Sequence, residues 1–71
     1  MKKFSVLIAN QHATSISLEE EFYQALLQLA QEQHMTANEL ITYIDETREI
    51  ANLSSAIRIY ILKALQQKIN S

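Results

Sequence analysis

The run Ala13-Thr14-Ser15-Ile16-Ser17-Leu18 alternates in character and then passes, with no Gly or Pro between, into the acidic Glu19-Glu20-Glu21-Phe22. A period of two marks a strand with an apolar side, here Ile16 and Leu18, and a polar side, here Ser15 and Ser17. A single short strand cannot satisfy the hydrogen-bonding groups along its own edges. It needs a partner, either the apolar stretch around Phe4, Val6 and Ile8 of the same chain or a strand from a second copy. That choice governs everything the chain can build.

Size sharpens the need. The chain has 71 residues, and a domain this small buries only about 60% of the surface its unfolded form exposes. Small domains are usually reinforced by disulfides, metals or oligomerisation. There is no cysteine, so disulfides and thiolate metal sites are excluded. His12 and His34 stand far apart with no ligand spacing around them, so no metal or cofactor is expected. Self-association remains, and a 48% hydrophobic content in so short a chain points the same way.

Neither Gly nor Pro occurs anywhere, so polar residues and helix caps must make the turns. Alternation predicts strands over residues 3–9 and 13–18, with a turn at Asn10, Gln11 and His12. Helices are expected over residues 19–33, 36–49 and 53–69. Ser17-Leu18-Glu19-Glu20 fits a capping box for the first helix, and Glu19, Glu20 and Glu21 complement its positive end. Phe22, Ala25, Leu26, Leu29 and Ala30 recur at helical spacing as its buried stripe.

Thr36-Ala37-Asn38-Glu39 is a second capping box, with Met35 and Leu40 placed for a hydrophobic staple. Asn52 is placed to cap the third helix. There Leu53, Ala56, Ile57, Tyr60, Ile61 and Ala64 share one arc, while Ile59, Leu62, Leu65 and Ile69 fall beyond it. A helix so widely apolar has to be covered on two sides, once by its own chain and once by a partner. Arg58, among apolar neighbours, is expected to pair with Asp45, Glu46 or Glu49. The three tyrosines, Tyr23, Tyr43 and Tyr60, read as core or interface residues with their hydroxyls at the edge.

Several functional classes drop away. The apolar run near the N-terminus is too short for a signal peptide and is followed by Asn10-Gln11-His12. No stretch approaches the ~20 apolar residues of a membrane span. A cytoplasmic protein is therefore expected. No nucleophile–base arrangement, phosphate-cradling glycine loop or metal spacing marks an enzyme. Consecutive Glu19, Glu20 and Glu21 point in different directions on a helix and do not form a catalytic pair. The formal net charge of −2 by itself points away from nucleic acid.

The ordered pieces nevertheless carry a likeness. His12-Ala13-Thr14-Ser15-Ile16-Ser17-Leu18-Glu19, Glu21-Phe22-Tyr23-Gln24-Ala25-Leu26, Thr36-Ala37-Asn38-Glu39-Leu40-Ile41 and Asn52-Leu53-Ser54-Ser55-Ala56-Ile57-Arg58 together resemble the ribbon-helix-helix family of DNA-binding proteins. The likeness is nearest to a bacterial branch with an N-terminal hydrophobic strand and a longer C-terminal helix. It implies a mainly α fold with a short β-ribbon, β-β-α-α-α in each chain, in an intertwined homodimer. It also implies double-stranded DNA as partner, with an antiparallel ribbon entering the major groove, and a small transcriptional repressor as the role. Pairs of dimers on repeated half-sites are common among relatives.

Under that likeness Ala13, Ser15 and Ser17 take the base-reading face. Thr36, Ala37 and Asn38 open a helix whose N–H groups suit a phosphate, and Lys2 and Lys3 reach the backbone as cations. Base readers elsewhere in the family are often Arg, Lys, Asn or Gln, which bond bidentately to guanine or adenine; here the positions are small. The inter-helix turn usually carries glycine, so His34 must take a left-handed backbone or the turn must differ. The alternative is a dimeric interaction module, an antitoxin or adaptor, that grips a protein partner through the C-terminal helix.

Overall fold

In the computed structural model, residues 1–8 and 12–70 are described. Two strands, β1 (Lys2–Ile8) and β2 (His12–Leu18), are followed by three helices, α1 (Glu20–Glu32), α2 (Ala37–Thr47) and α3 (Leu53–Asn70). The strands pair antiparallel within the one chain, in the register Lys2 with Leu18, Phe4 with Ile16, Val6 with Thr14 and Ile8 with His12. His12, expected in a turn, is thus the first residue of β2. The rest of that turn, Asn10 and Gln11, lies outside the described residues, as does Ala9.

Alternation puts Phe4, Val6 and Ile8 of β1 with Ile16 and Leu18 of β2 on the side facing the helices. Below them the three helices pack against one another, with α2 beside β1 and with α1 and α3 beneath β2. The core is continuous: Ile16, Leu18, Leu26, Leu40, Ile41, Ile57 and Ile61 are all but fully enclosed, with Phe4, Phe22, Tyr23 and Leu53 packed around them. No buried side-chain nitrogen or oxygen among the described residues lacks a partner.

The helix ends follow local chemistry. The box expected at Ser17 does not form. Ser17 is held in β2 opposite Lys3, and α1 starts from Glu19, whose side chain makes no cap bond. The far end of α1 is a Schellman turn: the Met35 N–H bonds to Ala30 O at 2.9 Å and the His34 N–H to Gln31 O at 3.0 Å. His34 takes the left-handed backbone this requires, at φ 59°. Such a conformation costs a non-glycine residue of order 1 kcal/mol.

At Thr36 the capping box is complete. Glu39 N donates to Thr36 Oγ1 at 3.0 Å and Thr36 N donates to Glu39 Oε1 at 2.8 Å. α2 stops at Thr47, two residues before the expected end, because Arg48 folds back. Its Nε bonds to Asp45 at 2.9 Å, and its Nη1 bonds to the carbonyls of Ile50 and Ala51. Asn52 Oδ1 accepts from Ser55 N at 2.9 Å and opens α3.

Arg58 does not pair with Asp45, Glu46 or Glu49. It crosses instead to Glu19, with Nε–Oε1 at 2.8 Å and Nη2–Oε2 at 3.2 Å. This fork ties α3 to the residue that joins β2 to α1, a pairing across 39 positions that local spacing cannot reveal.

Candidate nucleic-acid interface

The outward side of the hairpin is built from three cross-strand pairs: Lys3 with Ser17, Ser5 with Ser15, and Leu7 with Ala13. All are exposed except Ser17, which is half-buried. Of the residues expected to meet DNA, Lys3, Ala13, Ser15 and Ser17 therefore share one surface. Ser5 and Leu7 belong to it too. Their parity with Lys3 was visible in the sequence, but only the register places them opposite Ser15 and Ala13.

Lys2 goes elsewhere. Its parity turns it toward the helices, and its ammonium lies 5.4 Å from the Tyr23 ring centre. That ring also packs against Phe4 at 5.0 Å. An exposed cation–π contact of this kind contributes about 0.5–1 kcal/mol.

Thr36, Ala37 and Asn38 sit at the start of α2 beside β1. Thr36 is spent on its capping box. Asn38 does something that the sequence did not signal. Its Oδ1 accepts from Leu7 N at 2.9 Å and its Nδ2 donates to Leu7 O at 2.8 Å. Thr42 Oγ1 adds a longer bond to the same carbonyl at 3.4 Å. The side-chain amide thus stands in for a strand at the outer edge of β1. At the first turn of α2, the N–H groups of Ala37 and Asn38 have no acceptor among the described residues, as expected of a helix start.

That bond fixes the direction of every backbone group in the hairpin. Because both Leu7 groups face Asn38, Leu7 and Ala13 form a non-hydrogen-bonded pair, and antiparallel ladders alternate. The N–H and C=O groups of Ala13, Ser15 and Ser17 consequently point away from β1, along the free edge of β2. None of these groups has a partner among the described residues. One strand thus carries three small outward side chains and three unsatisfied pairs of backbone groups at the same positions.

The charges nearby are modest. The Arg58 guanidinium, bonded to both oxygens of Glu19, holds that carboxyl below its usual range. Lys68 does the same to Glu32 at the far end of α1. Among the described residues no group of His, Asp and Glu is arranged to hold a metal, and no helix is long and apolar enough to cross a membrane.

The family model described as a ribbon-helix-helix domain matches residues 1–65. No curated protein matches the chain, and no solved structure does.

Proposed function

The chain belongs to the ribbon-helix-helix family, and from that premise we propose that it is a homodimeric DNA-binding protein, a small transcriptional regulator that acts by occupying an operator. The family is generally one of DNA-binding regulators and antitoxin-like proteins. The observation that carries the reading is the free edge of β2. A second copy pairs there, antiparallel about Ser15, so that Ser15 meets its own equivalent and Ala13 meets Ser17 of the other chain.

The assembled sheet is then four strands wide, in the order β1, β2, β2, β1. Three spacings of about 4.8 Å set its outer strands about 14 Å apart, against a major groove about 12 Å wide. Only the central pair enters. Ala13, Ser15 and Ser17 approach the base edges, the serine hydroxyls donating or accepting and the alanine methyl lying against thymine. Lys3, on the flanking strand, falls at the phosphate wall. The Ala37 and Asn38 N–H groups at the start of α2 supply a second phosphate contact on each side. Lys2 is held over Tyr23 weakly enough to leave it for a phosphate.

With few cations and small readers, affinity comes from the backbone and discrimination is shallow. The test is a duplex selected from a random pool, titrated at increasing salt. Binding is expected to fall with a slope of about −0.9 per phosphate neutralised. Ser17→Glu is expected to abolish it while sedimentation still reports a dimer. Undiminished binding by Ser17→Glu would remove β2 as the reader.

A second reading, a dimeric interaction module such as an antitoxin or adaptor, draws on the apolar outer side of α3. Absence of binding to any duplex at low salt would favour it.

A further inference from the structure

Helix α3 is apolar on two sides. Its inner side, with Ala56, Ile57 and Ile61, belongs to the core. The outer side exposes Ile59 at 38%, Leu62 at 53%, Leu65 at 41% and Ile69 at 81%. At 100° per residue Leu62, Leu65 and Ile69 fall within an arc of about 60°, with Ile59 on its flank. α1 and α2 have no such row; Tyr43 is the one large hydrophobic residue exposed on either.

We propose that this row is covered by the same row of a second copy, the two α3 helices lying antiparallel. This contact deepens the homodimer proposed above and rests on it for the identity of the occupant. The spacing is self-complementary. A two-fold axis between Leu62 and Leu65 sets Leu62 against Leu65 of the other copy and brings Ile59 to within one residue, about 1.5 Å along the axis, of Ile69. Every member of the row meets another member, as an isologous contact requires. A parallel two-fold would instead set each residue against its own equivalent, Ile59 against Ile59 and Ile69 against Ile69, and would not bring Ile69 to Ile59.

Charge permits it. The row's own cation, Arg58, is spent on Glu19, and Lys68 on its flank is bonded to Glu32 at 2.6 Å. The other flank carries neutral Gln66, and Lys63 lies farther round the helix. A receptacle for Ile69 is also present. Between the end of α2 and α3 lies a pocket of about 290 Å³, with Ile44, Ile50 and Ile59 on its apolar side and Arg48, Glu49 and Lys63 on its charged side. In the antiparallel pair Ile69 of the other copy arrives beside Ile59, at its mouth. Ile69 is the most exposed large hydrophobic residue described.

Area argues for one interface rather than two. Four partly exposed aliphatic side chains fall well short of the roughly 800 Å² per partner of a stable complex. The free edge of β2 supplies more, and α3 lies beneath that strand, joined to its end through Arg58 and Glu19. One second copy seated on this flank covers both.

The chain has no cysteine, so single-cysteine variants give a clean test. Ile59→Cys and Ile69→Cys chains are mixed in equal amounts, equilibrated at tens of micromolar and mildly oxidised. A mixed disulfide outnumbering both self-disulfides at least five-fold is expected. Ser15→Cys is oxidised in parallel and reports on the strands alone. Cross-linking in the α3 mixture without cross-linking of Ser15→Cys upholds this proposal and removes the ribbon. Cross-linking of Ser15→Cys alone overturns this proposal and keeps the ribbon. Self-disulfides of Ile59→Cys in excess would overturn the antiparallel arrangement. No cross-link in either would overturn both and assign the row to a different protein. As a separate check, Leu62→Asp is expected to raise the dimer dissociation constant at least 30-fold.

Discussion

The two strands of the hairpin have the same length and the same alternation, yet they occupy different positions in the molecule. β2 is the deep strand: Ile16 and Leu18 are 1% and 0% exposed, whereas Phe4 and Ile8 of β1 remain partly open. Their outer edges differ in the opposite sense. β1 is blocked at Leu7 by the Asn38 amide, and α2 lies alongside it. β2 presents the backbone of Ala13, Ser15 and Ser17 to no partner among the described residues. The better-buried strand is thus the one left incomplete at its edge. Exposed edges of this kind invite a further strand unless something blunts them. This chain blocks one edge at Leu7 alone, where α2 lies against it, and leaves the other open at Ala13, Ser15 and Ser17, so β2 offers a partner the longer free edge.

The contrast is open to attack at several points. The largest effect is expected inside. Ile16→Ala should cost about 2–5 kcal/mol, a large share of what a small domain has, while Phe4→Ala, opposite it, should cost less in urea melts. Equal losses would show that the strands are equivalent after all.

Next come the edges themselves. Ser5 and Ser15 face each other, and the N–H of each points outward, so proline at either site leaves the hairpin ladder intact. Ser15→Pro is expected to fold and to weaken dimerisation at least 100-fold by sedimentation, about 2.7 kcal/mol. Ser5→Pro should leave the dimer constant within a factor of three. A reversed order would place the partner on β1.

Smaller is the effect of the blocking amide. Asn38→Ala removes two hydrogen bonds to Leu7 and is expected to lower stability by about 1–2 kcal/mol. Asn38→Asp keeps the acceptor for the Leu7 N–H but loses the donor, and should fall between. If neither variant moves the melting curve, β1 is not held by α2.

The smallest effect concerns the tie between β2 and α3. Arg58 lowers the pKa of Glu19 in the folded chain. The stability linked to that carboxylate is therefore present at neutral pH, above its unfolded value, and is lost as pH falls through the lowered folded one. Both side chains are substantially exposed, so the contribution is slight. Arg58→Ala should return the Glu19 titration, followed by NMR, upward to the ordinary carboxylate range.

What could be read from the sequence was local. The alternation of Ile16 and Leu18 against Ser15 and Ser17, the box at Thr36 and Glu39, the Asn52 cap and the surplus apolar side of α3 all depend on neighbours within a few positions. The misplaced features depended on partners far away. Ser17 fits a helix cap by spacing, but pairing with Lys3 claims it for the strand. Arg58 has three acids nearby in sequence and bonds to Glu19 instead. Asn38 sits three residues into a helix signature, and its bond to Leu7 spans 31 positions. The direction of the backbone groups on each edge follows from that bond and from nothing in the composition. Ser5 and Leu7 joined the outward face for the same reason, since a register cannot be read from one strand alone.

Amide hydrogen exchange at Ala13, Ser15 and Ser17 tests the bare edge most directly. With a second copy paired along β2, these three amides are protected at high concentration and lose that protection on dilution, while Thr14, Ile16 and Leu18, bonded within the hairpin, stay protected throughout. Exchange of the three at free-strand rates at every concentration would mean that nothing pairs there, and the proposed reader of DNA would have no second half.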